Sequence, residues 1–291
     1  MFILTLTLFL CPFHASYSTI IDLINSDKKS SWKAGHNHLT SQNISTIRRS
    51  LDQDMIPLLS HPRNHSLIPA RSSSTPFDSR ERWPNLIHSP KDQGSCNTAW
   101  AFGATLSLSD RMSIKGCTDE LLSPQDIISC EEHNVGCKGA SPLNAWTYLM
   151  KNGATMESCI PYASENGTVP FCQKKCIDGK KQKRVFPQSF SRLTADRAEI
   201  DVKQYGPLEI WFLVYEDLVT YKEGIYEHKT GEMLGAQAGR LIGWGSKGRK
   251  QYWIVANNWG EEWGEQGYFK ILRGHDHCGI ESVLISGKPK C

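Results

Sequence analysis

The residues best placed to do chemistry lie in Gln93-Gly94-Ser95-Cys96-Asn97-Thr98-Ala99-Trp100-Ala101-Phe102-Gly103. A small, polar lead-in gives way to an apolar run at helical spacing through Ala104, Leu106, Leu108 and Met112, which predicts a loop feeding a buried helix. A helix N-terminus favours an anion through its dipole and free N–H groups, so a thiol held there ionises readily and can attack a carbonyl. At the start of this helix stands Ala99, and a methyl group cannot attack. Cys96 and Thr98 are the nearby nucleophiles, but neither has a base in view. His228, the pair His275 and His277 around Asp276, and the earlier His133 are read as surface or loop histidines. No cysteine spacing matches a zinc pattern, and no motif asks for a metal or cofactor.

This segment resembles the active-site helix of the papain superfamily, whose pattern is Cys-Gly-[Ser/Ala]-Cys-[Trp/Tyr]. That family carries its base in Gly-Gly-His-Ala and its orienting asparagine in Asn-Ser-Trp. The matching stretches here are Gly235-Ala236-Gln237-Ala238-Gly239 and Asn257-Asn258-Trp259. The resemblance therefore puts Ala99 in the nucleophile slot, Gln237 in the base slot, Asn257 as orienter and Gln93 as the oxyanion-hole glutamine. A neutral carboxamide does not titrate near pH 7 and cannot take the proton. Loss of both nucleophile and base implies a pseudo-protease.

The same resemblance is cathepsin B-like and covers most of the chain, from Trp32 to Glu281. It makes Cys137-Lys138-Gly139-Ala140 the substrate wall, where the family has Cys-x-Gly-Gly, so Ala140 adds a methyl that restricts φ and crowds a bound peptide. Trp259 corresponds to the tryptophan that shields the Asn–His bond. Glu281, in Cys-Gly-Ile-Glu-Ser, corresponds to the acid of the second specificity pocket, which would favour a basic side chain. The occluding loop of cathepsin B is missing: only Ile160 to Phe171 lies between Cys159 and Cys172, without a histidine. Active members of this loop-less branch would be endopeptidases.

Several elements must hold these residues in place. Ser123-Pro124 and Ser141-Pro142 are helix starts, with Ser as N-cap and Pro at the first helical position. Thr194 to Gly206 predicts another helix. From Ile210 onward short apolar runs bounded by glycines predict strands at 210–214, 240–244, 251–257 and 267–272. The expected fold is α+β, a papain-like two-lobed body with a helical lobe over about 90–190 and a β-rich lobe over about 191–285.

At 291 residues, 39% hydrophobic and 22% charged, the chain can bury ordinary cores. A net charge of +3 gives no ground for a nucleic-acid partner. The cluster Lys174, Lys175, Lys180, Lys181, Lys183 and Arg184 is read as a solvated loop. Residues 1–18 are expected to be a signal peptide, and no later segment is long enough to span a membrane. Residues 19–74 are expected to form a short proregion and linker, marked by Trp32-Lys33-Ala34-Gly35-His36-Asn37, a motif similar to that of cathepsin B-like proregions. The family's proregion crosses and blocks the cleft. The domain proper is expected over 75–291.

Ten cysteines and sequons at Asn43, Asn64 and Asn166 point to an oxidising secretory route, ending outside the cell or in a lysosome or vacuole. The resemblance implies the pairs Cys96–Cys137, Cys130–Cys172 and Cys159–Cys176, and leaves Cys117, Cys278 and Cys291 unassigned. The functional expectation is a monomer that binds peptides or proteins, its own proregion included, through its cleft or surface. The alternatives are a persisting cathepsin B-like endopeptidase and a rigid secreted structural module.

Overall fold

The computed structural model describes residues 16–60, 75–131 and 136–291. The first fifteen residues, the linker with Asn64, and His133 lie outside the described residues.

The N-terminal segment is built from helix α1 (Tyr17–Ser26), strand β1 (Trp32–Ala34) and short helices α2 (Ile44–Arg49) and α3 (Ile56–Ser60). Ser16 caps α1, its Oγ accepting from the Thr19 N–H, and Ile20, Ile21 and Ile24 face inward at helical spacing. After β2 (Phe77–Asp78) and α4 (Ser79–Arg82) comes the central helix α5 (Ala99–Lys115). Its residues are buried from Ala99 to Ser113, and Gly116 closes it in the left-handed conformation that glycine adopts without strain. Helices α6 (Pro124–Cys130) and α7 (Pro142–Asn152) start as the Ser-Pro pairs predict, each serine accepting a first-turn N–H.

The second half is mostly strand: β3 (Pro187–Leu193), helix α8 (Ala195–Tyr205), β4 (Leu208–Tyr215), α9 (Glu216–Val219), β5 (Tyr221–Tyr226), β6 (Met233–Lys247), β7 (Lys250–Ala256), β8 (Tyr268–Leu272) and β9 (Leu284–Pro289). Among the described residues these form one nine-stranded sheet in the order β1-β5-β8-β7-β6-β4-β9-β3, with β2 pairing β6. Helix α5 packs against β6, β9 and β4, so the slot at Ala99 faces the sheet that carries Gln237.

The structure extends the sequence reading at two places. The strand-rich region begins at Pro187 and continues to Pro289, because β3 and β9 pair with each other as well as through β4. β3 presents a mostly exposed, polar face, so it carries no apolar run to betray it. The N-terminal segment adds a strand of its own: β1 pairs antiparallel with β5, and Trp32 is buried between Tyr221 and Tyr226 with its indole N–H on the Glu227 carbonyl.

All three expected disulfides are present, with Cα–Cα distances of 4.6, 4.8 and 4.4 Å. A fourth joins Cys117, just past α5, to the C-terminal Cys291. Cys278 is free, and burial pushes its thiol well above the usual range.

Candidate functional site

The loop before α5 is pinned on every side. Gln93 N–H donates to the Asn258 carbonyl at 3.0 Å, Ser95 N–H to Glu165 at 2.7 Å and Asn97 N–H to Cys137 at 3.2 Å, beside the Cys96–Cys137 bridge. The Tyr162 hydroxyl donates to the Gln93 carbonyl at 2.6 Å, and burial pushes that phenol up to about 12, so it stays protonated. This loop delivers Ala99, wholly buried, as the first residue of α5.

Neither alternative nucleophile survives. Cys96 is spent in a disulfide. Thr98 Oγ1 contacts the Cys96 carbonyl at 3.3 Å and Tyr162 Oη at 3.2 Å, and neither is a base that could activate it.

Gln237 lies on β6 opposite Phe212 of β4 and is fully buried. Its Nε2 donates to Gln93 Oε1 at 2.8 Å and, at 3.3 Å, to Asn257 Oδ1. Gln93 Nε2 in turn donates to the Cys96 carbonyl at 3.0 Å and to the Ser50 carbonyl at 2.9 Å. Ser50 belongs to the N-terminal segment. A hydrogen-bonded row thus runs from Asn257 through Gln237 and Gln93 to a peptide carbonyl of the chain's own N-terminal segment, and none of its members titrates. Gln237 Oε1 and Asn257 Nδ2 are buried without a partner among the described residues. The row is held more by enclosure than by complete satisfaction of its polar atoms.

The N-terminal segment continues across the site. Asp52 and Ala236 exchange both backbone hydrogen bonds, at 2.9 and 2.7 Å, so Asp52 sits as an extra antiparallel residue beside the strand position that precedes Gln237. Leu51 is buried with Trp259 and Leu234, and Met55 and Leu59 enter the core beside Trp211 and Leu213. Gly139, at φ +94°, lines this passage; a Cβ there would lie 2.5 Å from both Asn97 Nδ2 and Asp52 Oδ2. Ala140 is free of positive φ, and its methyl packs against the neighbouring core. The expected crowding at Ala140 does not close the passage, since the N-terminal segment occupies it.

Trp259 is buried with its ring edge-on to Trp263 at 4.9 Å. Glu281 is engaged by β7 and by its own loop: its carboxylate accepts from Trp253 Nε1 at 3.0 Å, Gly274 N–H at 2.6 Å and Asp276 N–H at 2.9 Å. His228 is paired through Nδ1 with the buried Asp217 at 3.1 Å and stacked on Tyr215, while His277 accepts the His228 backbone N–H and is held below the usual histidine range by burial. Neither joins the amide row. Asn43 and Asn166 are exposed, with each Oδ1 in a local turn. Among the described residues no cluster of ligating side chains suits a metal, and no helix is long and apolar enough to cross a membrane.

Sequence reasoning missed Ser50, Asp52 and Tyr162. The first two act mainly through backbone and through one carboxylate in a polar stretch, which leaves no periodic trace.

A central helix whose N-terminus faces a sheet-borne residue and its asparagine, with the N-terminal segment laid over both, defines a class. The model of the papain family cysteine protease matches residues 73–287, and the chain belongs to that family. Within it the chain resembles cathepsin B-like proteins. It is 34% identical over 310 residues to a cathepsin B-like cysteine proteinase of Schistosoma japonicum, covering 92% of this chain and 89% of that one. It is 35% identical over 271 residues to cathepsin B-like cysteine proteinase 4 of Caenorhabditis elegans, covering 81% and 79%. Among solved structures, procathepsin B S9 from Trypanosoma congolense superposes with a TM-score of 0.84 at 31% identity, over 95% of this chain and all of that one.

Proposed function

We propose that this cathepsin B-like chain is a pseudo-protease of the secretory route that holds peptide segments in its cleft without cleaving them. One observation carries the reading: the slots for nucleophile and base are filled by Ala99 and Gln237, and Gln237 is bonded into a row of neutral amides. Removing nucleophile and base from a hydrolase of this kind leaves roughly 10³–10⁴-fold over water from binding and oxyanion donors alone, which is negligible against a peptide bond. Gln93 Nε2 is already engaged by Ser50, so even that remnant is masked while the leader is in place. Without its own cleaving activity the chain cannot release its leader by self-processing, and residues 19–74 stay attached unless another protease cuts.

The test restores the site. The natural chain is compared with the double variant Ala99→Cys, Gln237→His, each after its linker has been cut by an added protease, on a fluorogenic peptide. Cleavage by the variant alone supports the reading. Cleavage by the natural chain overturns it.

A further inference from the structure

Among the described residues the most exposed large apolar side chains are Phe171 at 92% and Ile177 at 73%, and both lie in one loop. That loop is held firmly. Cys172 is tied to Cys130 and Cys176 to Cys159, and the Ile177 N–H donates to the Cys159 carbonyl at 3.0 Å. The Cys176 N–H donates to the Lys180 carbonyl at 3.0 Å across the turn Ile177-Asp178-Gly179. Lys175 pairs antiparallel with Lys181, and Gln182 Nε2 donates to the Gln173 carbonyl at 2.8 Å. An extended hairpin alternates its side chains between two faces. Cys172, Lys174, Gln182 and Arg184 line a cleft against α7. The other alternation holds Phe171, Lys175, Ile177, Lys181 and Lys183, and all five are exposed.

The two apolar residues thus stand among lysines. From 171 to 184 the chain carries six cations and one acid, Asp178, which is taken by Lys180 at 2.8 Å. Arg184 is paired with Asp126 at 2.7 Å, whereas Lys175, Lys181 and Lys183 form no salt bridge among the described residues. The net charge of the whole chain is only +3, so outside this stretch acids outnumber bases and the positive field is concentrated on the hairpin.

We infer that this disulfide-stapled hairpin docks on the surface of an anionic lipid bilayer. Phe171 and Ile177 enter the boundary between headgroups and acyl chains, and Lys175, Lys181 and Lys183 meet the anionic headgroups. Charge complementarity sets the sign of the partner, and the apolar pair sets its kind. A soluble polyanion would use the lysines and leave a phenyl ring in water, whereas a bilayer offers a negative surface with an apolar layer beneath it. Long lysine stems let the ammonium groups stay at the surface while the apolar pair goes deeper. A loop stapled in advance gives up little conformational freedom on docking. The inference does not depend on Ala99 or Gln237 and stands whether or not the cleft cleaves peptides.

The test is co-sedimentation of the full chain with phosphatidylcholine vesicles, with and without phosphatidylserine. The expected result is binding to the anionic vesicles alone, weakening as salt is raised. The double variant Phe171→Ser, Ile177→Ser should weaken that binding about tenfold or more. Lys175→Gln and Lys181→Gln should each weaken it about fivefold. Ile200→Ser, at a residue 58% exposed on α8, should leave it unaltered. All these side chains are exposed, so thermal midpoints should hold and a loss of docking is not a loss of fold. Failure to bind anionic vesicles overturns the inference, as does equal binding to both vesicle types or an equal loss in Ile200→Ser. Binding that survives the Phe171 and Ile177 changes but not the lysine changes also overturns it, and equal capture by dextran sulfate would then identify a site for a soluble polyanion.

Discussion

At the residue scale the site depends on a methyl group and a neutral amide, Ala99 and Gln237, standing where a thiol and an imidazole would be needed. Gln237→Leu should leave Gln93 Oε1 as a buried acceptor without its donor, at about 1–3 kcal/mol of folding stability, measurable by denaturant unfolding. A second residue-scale prediction concerns Glu209, which is fully buried between Trp146 Nε1 at 2.5 Å and Trp211 Nε1 at 2.6 Å. Burial pushes its carboxyl up to about 8 from an ordinary 4.5. The stability it contributes is therefore full below about pH 4.5 and falls as pH rises towards 8, by up to about 1.4 kcal/mol per pH unit. Melting temperature should drop from pH 5 to pH 8 in the natural chain, and Glu209→Gln should flatten that slope. Ala99 and Gln237 were legible in the sequence because the flanking Trp100-Ala101-Phe102 and Asn257-Asn258-Trp259 fix their places. The Ser50 carbonyl was not legible, because a backbone atom has no residue type to read.

At the element scale, two helices declared themselves through their capping serines, Ser123-Pro124 and Ser141-Pro142, and a third lies within the Thr194–Gly206 frame, closed by Gly206. The strands with apolar runs β4, β6, β7 and β8 were equally visible, whereas β1, β2, β3, β5 and β9 were not, β3 being mostly exposed and polar and β1 and β2 only three and two residues long. β1 is nevertheless anchored strongly. Trp32→Ala removes a buried ring packed on Tyr221 and Tyr226 and should cost about 3–5 kcal/mol. Its effect should appear as earlier proteolytic loss of residues 16–60 than of the rest. Gly139→Ala should act on another element, the wall, because its φ of +94° and the 2.5 Å approach of Asp52 Oδ2 leave no room for a methyl. Exchange of the Ala236 N–H should quicken in that variant while α5 stays protected.

At the scale of the whole molecule, the two ends of the chain are fastened differently. The C-terminus is tied covalently, Cys291 to Cys117 at the end of α5. Cys291→Ser should lower stability by about 2–4 kcal/mol and be seen as a lower thermal midpoint. Among the described residues the N-terminal segment is fastened without a disulfide, by β1 pairing on the sheet, Lys229 on Asp27 at 2.8 Å, and Leu51, Met55 and Leu59 in the cores. The α+β plan was legible because helix and strand signals segregate along the sequence. The integration of the leader was not, because its pairing with residues almost two hundred positions away has no local signature.

That integration bears on solubility. β1 is the outermost strand beside β5, and its backbone covers the N–H and C=O groups of Tyr221–Gly224. If another protease strips the leader, those groups become a bare sheet margin able to template a foreign strand. A trimmed chain is then expected to polymerise or precipitate more readily than the untrimmed one as concentration rises, which light scattering of the two forms would show.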